Sequence, residues 1–357
     1  MNELENNAGQ NQGVKRRRSV SFWIALILGV FLLLSLLVNF VQCISVISLP
    51  SGKNKDAAKP YTEKFVTGEQ ESENKILIIS VKGVILNNEG DSGFFGATNE
   101  SINERISRSL KQVQQDKNIK AILLRVDSPG GGITECDQIY QSIKRFKQSN
   151  PQIPIVALMD DMAASGGYYI SAMADKIIAH PTTLTGSIGV IAQFINIEGL
   201  FSKLGLKDIV IKSGVMKDIG SSTRAMTEEE KALLQGIIDE MYGRFVQVIT
   251  EGRKNLSREQ ILKLADGRIY TGEQAVKNGL VDEIGYLEDA IKSTETLAKI
   301  SKAKIIEYEK SKGFIDFMFG ALSPKFQPEM NLTRELKSFI YSSNTPRLLY
   351  LWKGRTD

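Results

Sequence analysis

IVALMDDMAASGGYY, residues 155–169, joins a short apolar run to Ser165, which two glycines follow. The run at residues 155–159 has the length and composition of a buried strand, and the apolar residues after Ser165 predict a helix. A serine between a strand and a helix, flanked by small residues, can present its hydroxyl to a substrate beside the free amides of the first helical turn. The pattern differs from G-x-S-x-G, and a simple helix cap at Ser165 explains it equally well.

Strand and helix patterns alternate on both sides of this stretch. Strands are predicted at residues 76–81, 121–126, 155–159, 176–179, 187–191 and 209–212, and helices at residues 102–113 and 139–146. Capping boxes at Thr227 and Ser257 predict two further helices, and Thr271 can cap another. Such alternation indicates βαβ units, so the sequence predicts an α/β fold with a mostly parallel sheet and flanking helices.

The N-terminal part of the chain has the pattern of a membrane anchor. A polar tail, residues 1–21, ends in the basic run Lys15–Arg18, and residues 22–48 contain no charge. About 20 apolar residues cross a bilayer as a helix, and basic residues before such a helix favour a cytoplasmic N-terminus. A cleaved signal peptide is the rival interpretation, but this apolar core is longer than is usual for one. We therefore predict a single-pass transmembrane signal anchor with the remaining chain outside the cytoplasm.

The rest of the chain divides by composition into three segments. Residues 49–75 are polar and charged and predict a linker. Residues 76–310 carry the strand and helix alternation and are predicted to form the main domain. Residues 311–357 lose that alternation, although the apolar run Arg347–Trp352 can pack in a groove on this or another chain.

Composition argues against several classes of protein. The net charge is only +4, and the basic run lies in the N-terminal tail, so nothing predicts a nucleic-acid partner. His180 is the single histidine, and Cys43 and Cys136 are the two cysteines, which makes a zinc site or a disulfide framework improbable. No metal and no cofactor are predicted.

A nucleophilic serine needs donors for the oxyanion and a base. Residues 127–132, DSPGGG, directly follow a predicted strand and can place several backbone N–H groups close to a ligand. A plain turn is the alternative, and no G-K-[ST] follows that would indicate a nucleotide site. For the base, the residues leave His180 and Lys217 open, since a lysine that loses its solvation can act near neutral pH. Ser187 can hold a neighbouring amine, or it is only a turn residue.

Five motifs together resemble the signal peptide peptidase A family, over roughly residues 75–310. They are DSPGGG from Asp127, MDDMAASGGYYIS from Met159, ADKIIAHPTTLTGSIGVI from Ala174, IKSGVMKDIGS from Ile211 and DGRIYTGEQAVKNGLVDEIG from Asp266. Members of that family are membrane-anchored serine proteases on a crotonase/ClpP-like fold. The resemblance implies that fold here, and peptide substrates such as residual signal peptides.

The resemblance also implies roles for particular residues. Ser165 matches the nucleophile, Lys217 the general base and Ser187 the residue that orients the lysine. The amide of Gly166, with one from Gly130 or Gly131, would form the oxyanion hole, and His180 would have no role. Met216 stands where relatives often have tyrosine. Family members form dome-shaped homo-oligomers in which Ser and Lys of one site can come from neighbouring subunits. A Ser/Lys pair needs no metal or cofactor.

Two alternatives remain beside this interpretation. The same fold supports crotonase-like acyl-CoA enzymes, which also hold an oxyanion with glycine-rich loops. A catalytically inactive membrane scaffold of that fold is the other alternative.

Overall fold

The computed structural model describes residues 20–47, 60–87, 100–310 and 349–351. Helix α1, Val20–Ile47, belongs to a unit of its own, and a second unit begins at Pro60. Within α1, Ser21–Phe40 has a mean hydropathy of 2.7 and is long and apolar enough to cross a bilayer. The predicted anchor is therefore helical over the residues that the structure describes.

The second unit is built on a nine-stranded sheet. Its strands are β1 (Thr62–Gly68), β2 (Lys75–Lys82), β3 (Ile119–Ser128), β5 (Ile155–Ala164), β6 (Lys176–Ala179), β7 (Leu184–Gly186), β8 (Ile269–Thr271), β9 (Glu283–Ile284) and β10 (Lys304–Glu309). The strand order is β1-β10-β2-β3-β5-β6-β9, while β7 pairs with β5 and β8 pairs with β7. All pairs are parallel except β1 with β10 and β7 with β8. Two short strands, β4 (Gly130–Gly132) and β11 (Leu349–Leu351), form a separate antiparallel pair.

Helices flank both faces of the sheet. Their bounds are α2 (Ile102–Val113), α3 (Ile133–Ser149), α4 (Gly166–Ser171), α5 (Glu198–Lys203), α6 (Glu228–Gly252), α7 (Arg258–Leu264), α8 (Gly272–Lys277) and α9 (Leu287–Ala298). The central strands are apolar on both sides, as expected for a parallel sheet that is covered on both faces. The larger core includes residues of α2, α3, α4 and α6, and the smaller one lies against α9. The predicted α/β class is confirmed.

The capping residues that the sequence predicted lie at the starts of three helices. Thr227, Ser257 and Thr271 each form a full capping box at the start of α6, α7 and α8. In each box the cap side chain accepts a backbone N–H, and the third helical residue bonds back to the cap, so two orphan donors are satisfied.

Three local predictions differ from the structure. Strand β1 lies within residues 49–75, for which the sequence predicted a linker; its seven residues are all exposed, so they show no buried face to detect. The predicted strand at residues 187–191 is wrong, because the strand lies just before it as β7. The predicted strand at residues 209–212 is also wrong, since Ile209 and Ile211 are 84% and 96% exposed and find no strand to pair with in the described part of the chain.

Candidate active site

Ser165 lies at the junction between β5 and α4, as its sequence context predicted. Its backbone has φ 53° and ψ −113°, a conformation that is costly for a residue with a side chain and that recurs at functional sites. The surroundings hold it there: its N–H donates to the Gly186 carbonyl at 2.7 Å, and its carbonyl accepts the Tyr169 N–H at 2.9 Å. Ser165 is only 1% exposed, and its hydroxyl has no hydrogen-bond partner among the described residues.

The glycine loop lies directly beside the start of α4. A Cβ atom added to Gly130 would lie 2.7 Å from the Gly166 nitrogen, and one added to Gly166 would lie 3.1 Å from the Gly131 nitrogen. Gly130 has φ 102°, which glycine adopts without strain. The structure therefore brings together the three glycines that were predicted to surround the oxyanion, next to Ser165.

Of the backbone N–H groups of Gly130 and Gly131, the one of Gly131 is directed at the site. The Gly130 N–H already donates to the Ser128 hydroxyl at 3.1 Å. Ile85 bonds the Gly130 carbonyl at 2.8 Å and the Gly132 N–H at 2.9 Å. Since the backbone groups of successive residues in a strand point in opposite directions, the Gly131 N–H points away from Ile85.

The chain's own strand β11 occupies the edge to which Gly131 points. Tyr350 pairs with Gly131 in antiparallel register. The Tyr350 carbonyl oxygen lies 2.0 Å from the position that a Gly130 Cβ would take, where the Gly166 nitrogen is also near. A peptide carbonyl of the chain itself is thus held between the glycine loop and the start of α4. This strand falls within Arg347–Trp352, for which the sequence predicted only packing in some groove.

The Tyr350 side chain fills a pocket with aromatic walls. It is fully buried, with its ring centre 5.0 Å from that of Tyr169 and 4.7 Å from that of Phe245. Its hydroxyl donates to the Met241 carbonyl at 2.8 Å. Tyr169 donates its own hydroxyl to Asp137 at 2.6 Å, and burial together with this carboxylate raises the pKa of Tyr169. The pocket therefore holds an aromatic side chain between aromatic walls and offers its hydroxyl a backbone acceptor.

Ser187 lies one residue after Gly186, whose carbonyl holds the Ser165 backbone. It is 8% exposed, has φ 48°, and donates its N–H to the Arg268 carbonyl at 2.7 Å. The bond between the Ser165 N–H and the Gly186 carbonyl therefore brings the backbone of Ser187 close to that of Ser165. Its hydroxyl makes no hydrogen bond within the described residues.

Lys217 is not brought to Ser165 within a single chain. It lies in a 3₁₀ helix, Val215–Asp218, and is exposed, and its amine has no hydrogen bond or ion pair in the described ranges. The physical reason is that residues 191–226 leave the core and are mostly exposed. We call this segment the arm.

His180 packs its ring against Tyr286, with ring centres 4.8 Å apart. Its backbone N–H donates to the Thr183 hydroxyl at 2.9 Å. Within the described chain its ring makes no hydrogen bond with Ser165, which agrees with a packing role.

Sequence reasoning missed three contributors to this site. Ser128 was quoted as part of the loop but not recognised as the acceptor that occupies the Gly130 amide. Phe245 was not singled out in the helix that Thr227 caps, and Tyr350 was included only in the apolar run Arg347–Trp352. Aromatic residues at helical spacing in α6 were the available signal, but that pattern does not tell which pocket they line.

The fold and the site define a class: a Clp protease-like fold that carries a serine peptidase. Residues 85–185 match the Clp protease family, and residues 147–301 match peptidase family S49. A putative signal peptide peptidase SppA of Enterococcus faecium is 39% identical, over 87% of this chain and 94% of its own length. The chain belongs to the signal peptide peptidase A family, peptidase family S49, and is a serine protease.

Other relatives match shorter parts of the chain. A putative protease of Methanocaldococcus jannaschii is 42% identical over 59% of this chain and 67% of its own length. Protease 4 of Salmonella typhi is 31% identical over 76% of this chain, which is 42% of that longer protein. Because the chain belongs to this family, its fold is that of a serine protease and not of the acyl-CoA enzyme that was the alternative interpretation.

Proposed function

We propose that this protein is a membrane-anchored serine endopeptidase that cleaves hydrophobic peptides, such as residual signal peptides, with Ser165 and Lys217. The observation that carries the proposal is the strained Ser165 beside the Gly131 and Gly166 amides, with a strand of the chain itself bound along them. A peptide substrate would add to β4 in the same way, through backbone pairing that is independent of its sequence.

The reaction would proceed through an acyl-enzyme. The neutral Lys217 amine removes the proton of the Ser165 hydroxyl, whose oxygen attacks the peptide carbonyl carbon. The Gly131 and Gly166 N–H groups stabilise the oxyanion that forms. Lysine then protonates the leaving amine, and a water molecule, deprotonated by the same lysine, hydrolyses the ester. Ser187 would hold the lysine amine in place.

The exposure of Lys217 supports a site that two copies of the chain complete together. The arm that carries Lys217 exposes large apolar side chains, among them Ile195, Leu204, Ile209, Ile211 and Val215. Apolar surface of this extent favours a protein interface. In a homo-oligomer, such as a dome-shaped ring, the arm of one copy would bring its lysine to the serine of the next and exclude water from it, which lowers the pKa of an amine.

The substrate class follows from the pocket and the anchor. The pocket between Tyr169 and Phe245 accepts an apolar side chain, and hydrophobic peptides partition near a bilayer. Helix α1 would hold the enzyme at the membrane through residues 22–48, with the basic N-terminal tail in the cytoplasm and the catalytic domain outside it. The Enterococcus faecium relative, a putative signal peptide peptidase, agrees with this class of substrate.

Alanine substitution of the two proposed catalytic residues tests this function. In the full-length protein, Lys217→Ala removes the base, so turnover of a hydrophobic reporter peptide should fall by about 10²–10⁴-fold. Ser165→Ala should abolish both turnover and labelling by a peptide phosphonate. His180→Ala is the control, because its ring packs away from the serine, and it should retain activity. Near-normal turnover of Lys217→Ala would refute the dyad, and an unreactive Ser165 in the folded wild type would indicate an inactive scaffold.

A further inference from the structure

A buried carboxylate at the start of α6 is the inner end of a group of ion pairs that reaches Asp218, the residue after Lys217. Glu230 is 2% exposed, and besides closing the capping box with Thr227 it accepts two donors of the Arg224 guanidinium, one at 2.9 Å. A buried carboxylate is costly unless its charge is paired and its oxygens are bonded. Glu230 therefore fixes the position of Arg224 relative to α6.

Arg224 bonds in turn to the residue beside Lys217. Its Nε and Nη2 donate to the two Asp218 carboxylate oxygens at 3.0 and 2.8 Å, and Nη2 also reaches the Asp218 carbonyl at 3.2 Å. The planar guanidinium can hold a carboxylate in this two-point manner, which a lysine cannot reproduce. The last residue of the 3₁₀ helix is thus tied to the start of α6.

Lys212 holds the same helix from its other end. Its amine lies 2.5 Å from an Asp218 carboxylate oxygen and donates to the Val215 carbonyl at 3.0 Å. The Arg224 and Lys212 cations hold the pKa of Asp218 well below its usual range, and Arg224 lowers the pKa of Glu230 to about 2. Because folded-state pKa values below the unfolded ones mean that ionisation stabilises the fold, the contribution is complete above the unfolded pKa of about 4.5 and is lost toward pH 2. The ion pairs are therefore intact at neutral pH.

Hydrophobic burial does not hold the 3₁₀ helix in a single chain. None of its residues is buried, and Lys217 itself makes no side-chain bond in the described part of the chain. By contrast, α6 is packed in the core at Phe245, which lines the Tyr350 pocket beside Ser165. Side-chain bonds thus link the start of α6 at Glu230 through Arg224 to Asp218, the residue that follows Lys217, and the same helix lines the pocket at Phe245.

We propose that Arg224 is a positioning residue for Lys217, which it presents to the serine by clamping the 3₁₀ helix of Val215–Asp218 onto the start of α6. This inference rests on the proposed role of Lys217 as the base. A base transfers protons efficiently only when it is held within hydrogen-bond reach, and a displacement of about 1 Å costs about 10²-fold in rate. Without Arg224, the lysine would sample positions from which it cannot reach the hydroxyl.

The test compares Arg224→Gln, Arg224→Lys and Asp218→Asn in the full-length protein. Arg224→Gln should lower kcat for a hydrophobic reporter peptide by about 10- to 100-fold and leave KM within about twofold, because the substrate contacts are unchanged. Arg224→Lys should recover only part of the loss, since it keeps the charge but not the two-point geometry. Asp218→Asn tests the same clamp from its other side and should also lower kcat.

The matched control is Lys231→Gln, which also removes one positive charge. Lys231 pairs with the exposed Glu228 on the same first turns of α6 and does not contact Asp218. It should retain wild-type kcat and KM. Sedimentation of each variant reports whether the assembly is intact, so that a loss of oligomer is not mistaken for a misplaced base.

A double-variant cycle separates positioning from a general structural role. In the Lys217→Ala background, Arg224→Gln should cause no further loss in the rate at which a peptide phosphonate labels Ser165, because the group that it positions is gone. An equal loss in both backgrounds would overturn the inference, as would normal kcat in Arg224→Gln and Asp218→Asn while Lys217→Ala is inactive. Near-normal activity of Lys217→Ala would instead refute the dyad itself.

Discussion

Ser165, Ser187 and Gly130 all have positive φ, the Ser165 N–H bonds the residue before Ser187, and Gly130 lies beside Gly166. Each such conformation costs on the order of 1–3 kcal/mol for a residue with a side chain, so two of the three positions store strain. Backbone hydrogen bonds keep both serines in these strained conformations. The Ser165 N–H donates to the Gly186 carbonyl, and the Ser187 N–H donates to the Arg268 carbonyl. A hydroxyl on so constrained a backbone has little freedom, which favours a nucleophile over a helix cap.

Substitution of Gly130 by alanine should disable the site. The added Cβ would lie 2.0 Å from the Tyr350 carbonyl oxygen and 2.7 Å from the Gly166 nitrogen, where a substrate carbonyl would bind. We expect kcat to fall by about 10²–10³-fold, the effect of losing one oxyanion donor. The fall in kcat is measured with the hydrophobic reporter peptide.

The control for that variant is Gly205→Ala. Gly205 also has positive φ, but an added Cβ there meets nothing within 4 Å, so it carries the backbone strain without the clash. It should lose some thermal stability and keep its activity. Equal kcat for Gly130→Ala and the wild type would show that the loop does not bind the substrate carbonyl.

At the scale of elements, β11 is placed as a substrate strand would be. It pairs with β4, and its central tyrosine fills the aromatic pocket and places its carbonyl beside Gly130 and the Gly166 nitrogen. A segment that is covalently joined to a groove competes with added ligand at a raised effective concentration. If a peptide substrate adds to β4 as proposed, β11 competes with it for the same edge.

Weakening β11 should raise the apparent affinity for substrate. In Tyr350→Ala the aromatic anchor is gone, so we expect KM for the reporter peptide to fall by about tenfold while kcat stays unchanged. Tyr286→Ala is the control, since it removes a tyrosine that packs on His180 instead of lining the groove. An unchanged or higher KM in Tyr350→Ala would show that the strand does not compete with the peptide.

The elements differ in how well the sequence predicted them. The buried strands β2, β3 and β5 and the capped helices were predictable, because burial and caps leave periodic patterns and polar signatures. Strand β1 was not, because its residues are all exposed and its place depends on pairing with β10, far away in sequence. The position of β11 likewise depends on pairing with a distant strand, β4. The apolar run Arg347–Trp352 therefore predicted only that the segment packs in some groove.

The same distinction holds within the site. Ser165 and the glycine loop were predictable because each directly follows a strand whose pattern is strong. The choice of Gly131 over Gly130 as donor was not, because it depends on the bonds of Ser128 and Ile85. The exposure of Lys217 was also beyond the sequence, since no pattern tells whether a loop lysine is covered by its own chain, by another copy or by solvent.

At the scale of the whole molecule, the two proposed catalytic residues lie in different surroundings. Ser165 is buried in a packed domain, whereas the arm with Lys217 exposes apolar side chains and places its amine in solvent. A head-to-tail interface, in which the arm of each copy contacts the next copy's groove, joins two different surfaces of the chain and gives a ring when the rotation between copies closes. In such an assembly, a neighbouring copy would bring its Lys217 to Ser165, and the interface would bury the apolar side chains of the arm.

Two inactive variants should therefore restore each other. In an oligomer co-expressed from Ser165→Ala and Lys217→Ala chains, some sites combine the intact serine of one chain with the intact lysine of the other. Random mixing of equal amounts gives about a quarter of the wild-type activity when neighbours share a site, and none when each site lies within one chain. Two different affinity tags, used one after the other, isolate the mixed oligomers for the peptide assay. Oligomers mixed from Ser165→Ala and the double variant must stay inactive, because they contain no serine, and an inactive first mixture of intact size would place both groups in the same subunit.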